Sequence, residues 1–180
     1  MQPSREGQNT YLGTARPRNH MIGTLFESTW LLGLIASLLF SGLLLIHHFF
    51  GPGPDVRDEN GKKQILPEHR TFVIIEMIAM ITLLIGASSL GVLRFNDLSP
   101  GAGALAQITA AYLVMWFVNL WDFVVIDWAL LIRFRPRWLI VPETEYYTSV
   151  RPHFTGWLLA HLYMIPPAIL AWSISRWLQN

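Results

Sequence analysis

Ser28 to Phe50 reads STWLLGLIASLLFSGLLLIHHFF, 23 residues without a Lys, Arg, Asp or Glu. About 20 such residues, rising 1.5 Å each as a helix, cross the hydrocarbon core of a bilayer. The run ends at Gly51-Pro52-Gly53-Pro54, which cannot continue a helix. Three more apolar runs follow. Phe72 to Leu93 carries only Glu76 before it reaches Arg94. Ala102 to Ile132 exceeds the hydrocarbon thickness and must tilt or project beyond it. Phe154 to Trp177 is interrupted by Pro166-Pro167. The sequence therefore predicts an all-α membrane protein: an antiparallel bundle of four transmembrane helices over 28–50, 72–93, 102–132 and 154–177, the fourth kinked at its proline pair. A polar tail, 1–27, precedes this single domain. An even number of spans puts both termini on one side and the loops 51–71 and 133–153 on the other.

Composition agrees. Of 180 residues 52% are hydrophobic and 14% charged, against roughly a quarter charged in a soluble domain. The absence of cysteine excludes disulfides, thiolate metal sites, attached c-type haem and a thiol nucleophile. A net charge of +1 without a basic block argues against nucleic acid as a partner. The first apolar run starts too late, and is too long, for a removable signal peptide.

The 51–71 loop holds DVRDENGKKQILPEHR, whose four basic and four acidic residues cancel, with Asn60-Gly61 suited to a tight turn. The 133–153 loop mixes arginines and aromatics in the manner of a segment lying along lipid headgroups. The loop side carries eight Lys and Arg against five on the other side. Positive-inside counting thus places the loops in the cytoplasm, while Arg5, Arg16 and Arg18 in the tail pull the opposite way. The expected location is the bacterial cytoplasmic membrane.

Small residues four apart let helices approach closely in lipid. They occur as Gly33, Ser37 and Ser41; Ala87 and Gly91; Ala102, Ala106 and Ala110; and Gly156 and Ala160. The same faces would equally serve a second copy or a larger membrane complex. Trp30, Trp172 and Trp177 mark one interface and Trp128, Trp138 and Trp157 the other, while Trp116 and Trp121 lie deeper and pack the bundle.

Ionisable residues within the spans cost several kcal/mol each unless partnered or hydrated. The predicted topology puts them in one half of the membrane. His47 and His48 lie where the first helix exits on the loop side, and Glu76 lies about one and a half turns below that surface. Asp127 sits at a similar depth, Asp122 nearer the midplane, and His161 about two turns in. Three readings stay open. The groups are interfacial and reach water or loop arginines. Alternatively they form a site, with His47, His48, Glu76, Asp122 and His161 as ligands for a divalent metal such as zinc, iron or manganese, or with the carboxylates as a proton or cation relay. In the third reading His161 pairs with His47 or His48 as axial ligands of a haem.

In an α-helix Asn119 and Asp122 share a face, whereas Asp127, five residues on, turns to another. Asp122 with Asn119 is then the inward polar stripe, and Asp127 is expected to pair with Arg133 or Arg135. Pro166 and Pro167 free the carbonyls of Leu162 and Tyr163 beside His161, as broken transporter helices do.

The stretches NLWDFVVIDW (119–128), RPRWLIVPETE (135–145) and RPHFTGWL (151–158) resemble a pattern in uncharacterised small bacterial four-span integral membrane proteins. Glu143 stands where that pattern has a glycine before Thr-Glu. The resemblance implies that Asp122, Asp127, Glu145 and His153 share one region on the loop side, with 142–153 as a lid over it. It implies no activity.

The leading expectation is a polar site open to the loop side, lined by Glu76, Asn119, Asp122, Asp127 and His161 and covered by Glu145 and His153. It would bind or relay a metal ion, a proton or a small polar ligand. The alternatives are an accessory or scaffold subunit without chemistry, and a haem-binding or lipid-modifying enzyme. No nucleotide loop, serine elbow or HExxH helix supports an enzyme.

Overall fold

The computed structural model describes residues 18–50, 56–57, 63–64, 69–136 and 149–180. Within them lie four helices long and apolar enough to cross a membrane, as the hydropathy predicts. Helix α1 spans Arg18–Phe50 and α2 spans Arg70–Leu98. Between them Val56–Arg57 (β1) pairs antiparallel with Lys63–Gln64 (β2), Val56 opposite Gln64 and Arg57 opposite Lys63. The Asn60-Gly61 turn lies outside the described residues.

Helix α1 begins ten residues before the apolar run. The polar side chains of its first turns do not stop it, because Thr24 and Thr29 donate to the carbonyls of His20 and Leu25 four residues back, and Ser28 donates to that of Leu25. A hydroxyl satisfied within its own helix can be buried in lipid or protein. After α2, Ser99-Pro100-Gly101 makes the turn, with Gly101 at φ 79°, a conformation that suits glycine.

The third span starts as α3, Ala104–Trp121, and continues as a π-helix, Asp122–Phe134. Its hydrogen bonds reach back five residues, as the Arg135 amide does to the Leu130 carbonyl at 2.9 Å. Arg135 in the left-handed region (φ 44°), followed by Pro136, ends it. The fourth span divides into α4, Val150–Tyr163, capped by Ser149, and α5, Ile165–Gln179. The break falls at Met164. Pro166 and Pro167 then occupy the first turn of α5, where a missing N–H costs little.

Packing is tight in the half away from the long loops. Buried there are Ala36 on α1, Val92 and Phe95 on α2, Ala110, Val114 and Met115 on α3, and Ala168 and Ala171 on α5. Close approach depends on two glycines. A Cβ on Gly33 would sit 2.5 Å from Phe117 Cβ, and one on Gly91 2.8 Å from Val114 Cγ2. Polar groups cross-link the same half. Ser175 donates to the Ser89 carbonyl (3.0 Å), Ser89 to the Ala171 carbonyl (3.2 Å), and Trp172 Nε1 to Gln107 Oε1 (2.7 Å). Trp172 is therefore a core bridge as well as an interfacial residue. The outer surface is apolar, with Ile75 62% and Leu105 79% exposed, as a lipid solvent allows. The π-helix and α4, by contrast, bury no residue fully, and the loop-side half is correspondingly open.

Candidate functional site

Among the described residues, two cavities lie in that open half. One, about 310 Å³, lies between the π-helix and α4 and is lined by Asn119, Asp122 and Asp127 facing His153, Gly156 and Trp157. The other, about 500 Å³, lies between α1 and the π-helix. Its polar lining is Ser41, His47, His48, Asp122, Asp127 and His153, and its apolar lining is leucine and isoleucine. Asp122, Asp127 and His153 line both cavities and so stand in the wall between them.

This corrects the expectation that Asp122 and Asp127 point to different faces. In an α-helix five residues advance well past one turn, but in a π-helix five residues span a single hydrogen-bonded turn. The wider winding brings Asp127 round to the side of Asp122. The partner of Asp127 is also corrected: it is neither Arg133 nor Arg135 but His153, whose Nδ1 lies 2.9 Å from Asp127 Oδ2. The Asp127 and His153 side chains are 21% and 9% exposed, so this pair is sheltered. Asp122 has no hydrogen-bond or ion-pair partner among the described residues, and the charges nearest it are those of Asp127 and His153.

The other candidates separate from this group. Glu76 on α2 pairs with His47 on α1 at 2.5 Å, and His47 faces the larger cavity with its side chain 43% exposed. His48 lines the same cavity. His161 is held one turn above Trp157 through Nδ1 and the Trp157 carbonyl (2.8 Å), packs edge-on against the Trp157 ring at 4.5 Å, and approaches Tyr112. It lines neither loop-side cavity. Asn119 donates to the Trp157 carbonyl at 3.3 Å and joins α3 to α4 behind Asp122. Among the described residues, no three His, Asp or Glu side chains come together as a metal ion would require. Glu145 and most of the 142–153 segment lie outside the described residues.

Some contributors were read from sequence only as interfacial or packing residues. Trp157 stacks on Phe154 and tilts against Phe123, making an aromatic wall beside the smaller cavity. Trp121 Nε1 donates to Ser41 Oγ across the seam between α1 and the third span, at 3.0 Å. From sequence Trp121 is a deep packing residue and Ser41 part of a small-residue stripe, and nothing in the sequence pairs the two. No family model matches the chain, and no curated protein or solved structure matches it.

Proposed function

We propose that the loop-side half of the bundle is a site where Asp122 reversibly takes up a proton or a small cation from loop-side water. The observation that carries this reading is the Asp122 carboxylate itself: placed within a spanning helix, open to two cavities, and without a hydrogen-bond or ion-pair partner among the described residues. A carboxylate at that depth is stable only if neutralised. Asp127 cannot do this, since it carries the same charge and already engages His153. The Asp127–His153 pair instead positions the wall on which Asp122 sits and adds a second group able to hold or pass a proton. In a bacterial cytoplasmic membrane with the loop side inward, the exchange would be with cytoplasmic water.

Infrared difference spectra of the protein in lipid nanodiscs, recorded on stepping the pH, test this. A protonated-carboxyl band that appears reversibly and vanishes in Asp122→Asn is the expected result. A spectrum in which no such band responds, or in which Asp122→Asn leaves it unaltered, refutes the assignment.

A further inference from the structure

The larger cavity has a mixed lining, in which Asp122, Asp127, His153, His47 and His48 stand among Leu44, Leu45, Ile126, Leu130 and Leu131. Among the described residues, no Lys or Arg lines either loop-side cavity. Its volume of about 500 Å³ falls in the range, about 300–1,000 Å³, that accommodates small organic ligands. Leu45 is 36% exposed, so the leucine lining reaches the outer surface of the bundle. The Trp121–Ser41 hydrogen bond floors the cavity, and beyond it the same seam continues as an apolar groove of about 310 Å³ between Leu34 on α1 and Phe117 and Val124 on the third span.

We propose that this cavity binds an amphiphilic cation, with an alkylammonium head on Asp122 and its tail along the leucines of α1 and the π-helix. Charge selects the head. Among the described residues, the titratable groups around Asp122 are Asp127 on its own helix, His153 on α4, and His47 and His48 on α1, with Glu76 of α2 behind His47. Two of those imidazoles already face carboxylates, His153 with Asp127 and His47 with Glu76. An anionic head would meet Asp122 and Asp127 and gain no guanidinium or ammonium from the described residues in return. A neutral head would leave Asp122 holding its proton. An ammonium replaces that proton: the acid form of Asp122 releases H⁺ to water as the cation arrives, so the two compete for one carboxylate. The inference rests on reading Asp122 as a proton or cation site and adds the class of ligand.

Matched eight-carbon probes test it: octylammonium, octanol and octanoate, titrated into the protein in zwitterionic nanodiscs, with the Trp121 indole N–H resonance and proton release as readouts. Octylammonium is expected to shift the Trp121 signal saturably and to release up to one proton per site. Octanol should bind about tenfold more weakly or worse, a difference worth roughly 1.4 kcal/mol, and octanoate should not bind. Asp122→Asn should lose the charge preference. Leu130→Trp, which fills the cavity and keeps every charged group, should abolish the shift while the Asp122 carboxyl band persists. Equal binding of octanol and octylammonium, unchanged octylammonium binding in Asp122→Asn, or no saturable shift in the wild type overturns the proposal. The infrared band measured without amine reports separately on the proton reading. A band that responds to pH but not to octylammonium sinks only the ligand class. Should Asp122→Asn fail to fold, the wild-type probe series and Leu130→Trp still decide.

Discussion

Replacing Gly33 with alanine should loosen the α1–α3 contact by an amount the geometry sets. The new Cβ would lie 2.5 Å from Phe117 Cβ, where ordinary contact begins at 3.4 Å, so the two helices must part locally by about 0.9 Å. The opposing atom is a Cβ fixed to its backbone, and no rotamer of Phe117 removes it. Overpacking of this kind costs about 1–3 kcal/mol, and the upper part of the range applies because the backbone has to move. Alanine regains up to about 1 kcal/mol of helix propensity over glycine. The net expectation is about 1–2 kcal/mol of lost stability, the difference of those two figures. Gly86 and Gly42, also within helices but with nothing within 4 Å of where an alanine Cβ would sit, are the controls, and alanine there should be neutral or mildly stabilising. Reversible unfolding in mixed micelles, followed by far-UV circular dichroism, measures all three. If Gly33→Ala proves as stable as Gly86→Ala, the close approach at Phe117 does not govern this interface.

In the same unfolding assay, Trp121→Phe and Ser41→Ala should each cost about 0.5–1.5 kcal/mol, and the double variant should cost less than their sum because one hydrogen bond is shared. Gln107→Leu strands the Trp172 indole N–H beside the core and should cost about 1–3 kcal/mol, more than Asn96→Ala, which removes a solvent-exposed hydrogen bond to Gln179. His47→Ala should cost at most about 1 kcal/mol, since that side chain is 43% exposed. His153→Ala should cost on the order of 3 kcal/mol, since its side chain is 9% exposed and Asp127 is left in the membrane without it. Equal losses for the two histidines would contradict the contrast in shelter between their pairs.

The four spans were legible because their signal is local: each apolar run is long enough by itself to answer to the bilayer, whatever its neighbours do. The clustering of ionisable residues toward the loop side was legible for the same reason, since depth follows from distance along a helix. Which of them meet was not. Glu76, Asp122 and His161 share a half of the membrane but differ in azimuth, and azimuth depends on how each helix is rotated in the bundle. Hence Glu76 met His47, His161 met Trp157, and His153, placed by resemblance rather than by depth, met Asp127. The Asp122–Asp127 relation was misjudged because α-helical spacing was applied to a segment that winds as a π-helix, and no proline or glycine between Ala104 and Phe134 marks the change.

By itself the sequence determined a four-span, all-helical chain with an apolar surface, small residues able to pack, and scarce charges on one side. Those properties follow from the cost of moving each segment from water to lipid, a sum over single residues. Tertiary structure decided that one half closes into a core of alanines, serines and glycines while the other stays open. It also turned Asp122 and Asp127 to a common wall with His153. Those outcomes depend on helix rotation and winding, which are settled between helices, where a hydroxyl finds a carbonyl and a glycine admits a phenylalanine, and not along any one of them.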